Sequence, residues 1–155
     1  LLLQEGIPAP EIELKDQNEK THKLSDYRGK PVVLFFYPED DTPGCTLEAC
    51  NFRDDYWAYQ DVDAVIIGIS ADDEHSHAKF VDKYDLPFTL LADVETKTSQ
   101  AYGVWQEKSF LGKKYMGIAR TSYLIDREGM IARTFEKVHP PSHSAEVLAA
   151  LAELG

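Results

Sequence analysis

The chain has 155 residues, a length that favours one domain over two, and 43% of them are apolar, enough for a sizeable core. With 16 basic and 27 acidic side chains its formal charge is −11, which argues against a main task of gripping phosphate backbones or anionic lipid. No unbroken apolar run exceeds six residues, far short of a membrane span.

Residues 1–30 read as a lead-in, with no basic segment of the signal-peptide kind and no initiating Met. A cytoplasmic setting is expected, although a removed targeting segment would leave the same N-terminus. Within the lead-in, Glu11-Ile12-Glu13-Leu14 alternates as a short strand does, and Asp16-Gln17-Asn18 reads as a turn. Val32 to Tyr37 is a continuous β-prone run, as expected of a strand buried on both faces, and Pro38 ends it. From Pro43 to about Tyr59 the period becomes helical: Cys45, Ala49, Phe52 and Tyr56 share one stripe. Thr42 stands as N-cap with Pro43 at the first helical position.

A second β run covers Ala64 to Ile69. A helix follows, opening near Asp72 or Asp73 and burying Phe80, Val81 and Tyr84. Phe88 to Leu91 reads as a third strand. A short helix from Val94 groups Val94, Thr98, Ala101 and Tyr102, with Gly103 as its stop. Residues 104–118 read as irregular. Thr121 to Ile125 and Ile131 to Phe135 flank Asp126-Arg127-Glu128-Gly129 as a hairpin, and a helix with Val147, Leu148, Leu151 and Leu154 closes the chain. The order predicts one α/β domain over residues 1–155, with a mixed central sheet, part parallel and part antiparallel, flanked by helices.

The chemistry concentrates at Cys45. It sits in the first turn of a helix just past the C-terminal end of a buried strand, the crevice where open α/β sheets place their sites. Free N–H groups and the helix dipole favour thiolate over thiol there. The neighbouring side chains oppose it: from Glu39 to Asp63 there are eight acids and one base, Arg53. A nucleophilic Cys45 therefore needs a cation from elsewhere, and Arg120, at the entry to the hairpin, is the candidate. Cys50 is five residues on. On an intact helix the two Cα atoms lie about 8.7 Å apart, beyond the ~7 Å a disulfide tolerates. The pair either never bonds or bonds after the first turns unwind, and Gly44 beside Pro43 suggests a strained first turn. Most lone cysteines are inert core residues; the Thr-Pro-Gly-Cys-Thr setting argues against that for Cys45, and only the pairing argument does so for Cys50.

Pro38, Thr42 and Cys45, spaced Pro-x-x-x-Thr-x-x-Cys, resemble the active-site pattern of peroxiredoxins, and Cys50 makes the chain similar to their bacterioferritin comigratory protein/PrxQ branch. Arg120 in Arg-Thr-Ser-Tyr-Leu-Ile-Asp resembles the second part of that site. The resemblance runs from about Gly6 to the last helix. It implies a thioredoxin-like fold with an N-terminal β extension and a thiol peroxidase that needs no cofactor or metal. Cys45 would then be the peroxidatic thiol, Thr42 would align the peroxide, Pro38 would shield the site and Arg120 would stabilise the developing charge. Glu48 would orient Arg120, with Gly44 as a supporting residue. Cys50 would resolve the sulfenic acid as an intramolecular disulfide, a thioredoxin-type dithiol would reset it, and the protein would act as a monomer.

Other signals are weaker. His75 and His77 diverge on a helix, His139 and His143 fall in a loop, and Cys-x4-Cys is not a zinc half-site, so the histidines are expected to be solvated or core. Lys108, Lys113 and Lys114 read as an ordinary solvated loop, with electrostatic help near the crevice as the alternative. Trp57, Tyr56 and Tyr59 are expected to cover core. Two rival functions fit less well. A thioredoxin-like disulfide exchanger lacks Cys-x-x-Cys, and has Ala119-Arg120-Thr121 where thioredoxins carry a proline. A redox sensor would consume about one peroxide equivalent where an enzyme turns over many.

Overall fold

Alternate residues of a strand point to opposite faces of its sheet, and the buried segment Val32–Phe36 divides its side chains between two cores in this way. In the computed structural model, which describes residues 1–154, this strand is β3, the middle of a five-stranded sheet. Val33 and Phe35 enter one core with Phe52, Phe80, Leu90, Leu124 and Leu151. Val32, Leu34 and Phe36 enter the other with Ile67, Ile69, Leu91, Tyr102 and Tyr123. No helix is long and apolar enough to cross a membrane among the described residues.

Two short strands precede the sheet, β1 (Glu13–Lys15) and β2 (Thr21–Lys23), paired antiparallel. The first is shifted from the expected Glu11–Leu14. The buried Asp16 closes their turn by accepting hydrogen bonds from the N–H groups of Asn18 and Lys20. Helix α1 (Pro43–Asp54) and helix α2 (Tyr56–Asp61) occupy the segment expected as one helix. The break falls at Asp55, whose carboxylate accepts a bond from the Ser144 hydroxyl. The bend turns Tyr59 fully into the core, where its hydroxyl donates to the Ser144 carbonyl. Trp57 is exposed and covers no core.

Strand β4 (Val65–Ser70) runs parallel to β3. Helix α3 (Glu74–Tyr84) is capped by Asp73, and strand β5 (Thr89–Ala92) lies parallel to β4 on the sheet edge. Helix α4 (Lys97–Ala101) begins later than expected. Thr96 is in the left-handed region, Asp93 holds the N–H groups of Thr98 and Ser99, and Val94 is left exposed.

The largest departure is the segment 104–118. It forms an antiparallel hairpin of β6 (Trp105–Phe110) and β7 (Lys113–Ile118), turned by Leu111 and Gly112 with φ of 51° and 80°. Positive φ at both central residues is what a tight hairpin turn needs. Strands β8 (Thr121–Ile125) and β9 (Ile131–Phe135) complete the sheet in the order β5-β4-β3-β8-β9, and helix α5 (His143–Leu154) packs on the face that holds Phe52.

Candidate active site

The sheet topology places the C-terminal end of β3 beside the entry of its antiparallel neighbour β8, where Phe36 pairs with Thr121. Pro38 is the second residue after β3 and Arg120 the last before β8, so two segments far apart in sequence meet at the same sheet end. Cys45 is the third residue of α1 and only 1% exposed. The N–H groups of Gly44 and Cys45 belong to the first turn and have no acceptor within the helix. The turn is regular, without the strain expected from Gly44. Glycine serves there by close approach instead. A Cβ at this position would lie 3.0 Å from Nη2 of Arg120, so the missing side chain lets the guanidinium sit on the helix start.

Thr42 holds the N-cap position, but its hydroxyl donates to the Glu39 carbonyl at 2.9 Å and does not cap the helix. Arg120 donates through Nη1 to Oε1 of Glu48 at 2.9 Å. Burial works against the guanidinium charge, yet attraction and hydrogen bonding to Cys45 and Glu48 hold its pKa above the usual range. Glu48 is itself 1% exposed, and its second oxygen has no hydrogen-bond partner. Burial pushes its carboxyl up to about 7 while Arg120 pulls the other way.

This gives a pH signature. The unfolded chain releases the Glu48 proton near 4.5 and the folded chain near about 7, so between these values the native state holds more protons and stability falls as pH rises. The loss is about 3 kcal/mol, absent below the window and complete above it. Glu48→Gln is expected to remove this component. Chemical denaturation from pH 4 to 8 should show wild type losing stability relative to Glu48→Gln by that amount, and parallel profiles would contradict it.

Cys50 is half-buried two turns along α1, and both cysteines are free with the helix intact between them. Burial raises the Cys50 thiol pKa, assisted by Asp54 and opposed by Arg53. The C-terminal half of α1 is tied down: the side chain of Asn51 donates to the Pro140 carbonyl, Arg53 donates to the Tyr84 carbonyl, and Phe52 is buried.

The loop before α1 is held by α3. Asp40 accepts from the hydroxyls of Tyr37 and Ser76 and pairs with Nδ1 of the buried His77 at 2.7 Å; the other ring nitrogen of His77 donates to the Leu91 carbonyl. The Asp40 N–H donates to Asp72, and Asp41, at φ 57°, accepts from Lys83 and Tyr84. Asp40, Asp72 and His77 converge closely enough to face one cation. Their ligand atoms are instead engaged with one another and with Tyr37, Ser70 and Ser76.

The geometry brings Gly44, Cys45, Glu48 and Arg120 together, with Pro38 at the sheet end that Arg120 also occupies and Thr42 at the helix start, and leaves Cys50 free further along the same helix. Sequence reasoning missed the fixing of the loop by Asp40, Asp41 and His77, and for Lys108 it favoured a solvated loop over the alternative of electrostatic help near the crevice. The β6–β7 hairpin carries this lysine, half-buried, into the electrostatic range of Arg120 and Cys45. No pattern in residues 39–41 announces contacts made 32 to 43 residues away.

Comparison with known proteins identifies the family. Residues 6–134 match the AhpC/TSA family. The chain is 48% identical over 154 residues to peroxiredoxin Bcp of Bacillus subtilis, covering 99% of this chain and 98% of that one. Among solved structures, the bacterioferritin comigratory protein of Xanthomonas campestris superposes with a TM-score of 0.90 at 30% identity, over 97% of this chain and 99% of that one. BcpB of Mycobacterium tuberculosis superposes with a TM-score of 0.88 at 34% identity, over 99% of each chain.

Proposed function

This chain belongs to the AhpC/TSA family, as a thiol peroxidase of the Bcp/PrxQ kind with a thioredoxin-like fold, and from that premise we propose that Cys45 is its peroxidatic thiol and Cys50 its resolving thiol. The observation that carries the reading is the Arg120 guanidinium seated on the first turn of α1 and bonded to Glu48.

The Cys45 sulfur attacks one oxygen of the peroxide. An S–O bond forms and the O–O bond breaks. The other oxygen leaves with the electron pair, takes up a proton and departs as water or alcohol. Arg120 and the free N–H groups of the first turn face the charge as it moves, which is where fixed donors lower a barrier most. Hydrogen peroxide and organic hydroperoxides both meet this requirement; the Xanthomonas relative is described as reducing alkyl peroxides.

The sulfenic acid then needs a second thiol. Cys50 attacks the Cys45 sulfur, the S–O bond breaks, and the oxygen leaves as water. On the intact helix the sulfurs are out of bonding range, so the first two turns of α1 must open. The ties at Asn51, Phe52 and Arg53 confine that opening to residues before Asn51. Burial keeps Cys50 as thiol until then, and opening releases that restraint. A dithiol protein of the thioredoxin type, in a reducing compartment such as the cytoplasm, resets the pair by exchange and becomes a disulfide itself. Because both thiols lie in one chain, a monomer suffices.

Turnover tests the enzyme against the sensor. With excess dithiol reductant, many equivalents of peroxide should disappear per chain; consumption that stops near one would favour the sensor. Cys50→Ser should leave the first oxidation rate within about twofold and accumulate Cys45 sulfenic acid, seen by mass spectrometry as one added oxygen. Normal thioredoxin-driven cycling by Cys50→Ser would remove Cys50 from the resolving role.

A further inference from the structure

Lys108 is the one half-buried basic side chain of the β6–β7 hairpin; Lys113, on the same face, and Lys114 are exposed. Paired residues across an antiparallel hairpin share a face. The register Gln106–Gly117, Lys108–Tyr115 and Phe110–Lys113 puts Lys108 on one face, and Glu107–Met116 with Ser109–Lys114 lie on the other. Gly117 sits diagonally across from Lys108. A Cβ there would fall 3.3 Å from Cδ and 3.6 Å from Cε of the lysine, so the bare backbone leaves a track along which the stem lies. The neighbouring Glu107 is turned away and pairs with Lys114. Among the described residues Lys108 has no ion-pair partner. Its charge is felt by Arg120, which disfavours it, and by Cys45, which favours it.

An unpaired, half-buried ammonium is costly to keep unless something negative occupies its surroundings at some stage of the cycle. Here it stands within electrostatic range of a buried sulfur, in a chain of net charge −11 whose residues 39–63 hold eight acids against one base. That field repels anions. Arg120 is already divided between Glu48 and the first turn of α1. We propose that Lys108 is a specificity-determining cation of the Cys45 site, favouring small peroxides that carry a negative charge over neutral ones of the same size. The inference rests on Cys45 being the reactive thiol and adds to it which reactants the site admits.

The test uses two probes of similar size and different charge, iodoacetate and iodoacetamide, with alkylation of Cys45 followed by mass spectrometry. The ionised fraction of Cys45 cancels in the ratio of the two rates, so the ratio reads the local field. In Lys108→Gln the iodoacetate-to-iodoacetamide ratio should fall about fivefold, the scale of one nearby unit charge at intermediate dielectric. Lys108→Arg should restore it. The iodoacetamide rate reports whether the fold around the buried sulfur is kept. The difference between the wild-type and Lys108→Gln ratios should also shrink as salt is raised to about 1 M, where screening shortens to ~3 Å. An unchanged ratio in Lys108→Gln, or a difference between the two proteins that salt does not reduce, would overturn the role of Lys108. Failure of both reagents to modify Cys45 in wild type would instead overturn the reading of Cys45 on which it rests.

Discussion

Cys45→Ser is expected to abolish peroxide consumption, a loss of roughly 10³-fold or more, because the reaction has no other nucleophile at this position. The serine hydroxyl is nearly the same size, so helix α1 keeps its packing, but it does not ionise at neutral pH. Cys50 does not replace it: its thiol pKa is raised by burial, and it stands beside Asp54 without Arg120 or the helix start. Peroxide consumption by the purified variant with excess reductant checks this. Retained turnover would move the chemistry to another residue.

Arg120→Ala should slow the first oxidation of Cys45 by about 10² to 10³-fold, the usual cost of removing one fixed donor from a site of developing negative charge. The fold should tolerate the loss better than the reaction does. Glu48 would lose its partner, but a carboxyl whose proton leaves only near about 7 can stay neutral in its buried place. Arg120→Lys should recover only part of the rate, since one ammonium cannot present the two-pronged donor that spans Glu48 and the Cys45 turn. Stopped-flow oxidation of reduced protein measures all three. Equal rates in wild type and Arg120→Ala would take the guanidinium out of the mechanism.

The site was legible in the chain to the extent that its residues are contiguous. Pro38, Thr42, Gly44 and Cys45 fall within eight positions, and the β3 run and the stripe of Cys45, Ala49 and Phe52 set them on a strand end and a helix start. Arg120 was reachable because a cysteine among eight acids called for a distant cation. The contributions of α3 were not reachable: the bond from His77 to Asp40 spans 37 residues, and nothing local distinguishes that histidine from His75. The break at Asp55 depends on Ser144, 89 residues on. The β6–β7 hairpin escaped for a different reason. Most of its side chains are exposed, so no apolar alternation marks it, and its turn uses Leu111-Gly112 where an Asn-Gly would have announced it. That gap hid the surroundings of Lys108.

The most direct test of the account is the mass of the reduced protein after one equivalent of hydrogen peroxide, followed by peptide mapping without reductant. The account predicts loss of two hydrogens and a single cross-linked peptide joining Cys45 to Cys50. Oxygen retained on Cys50 with Cys45 still a free thiol would contradict it.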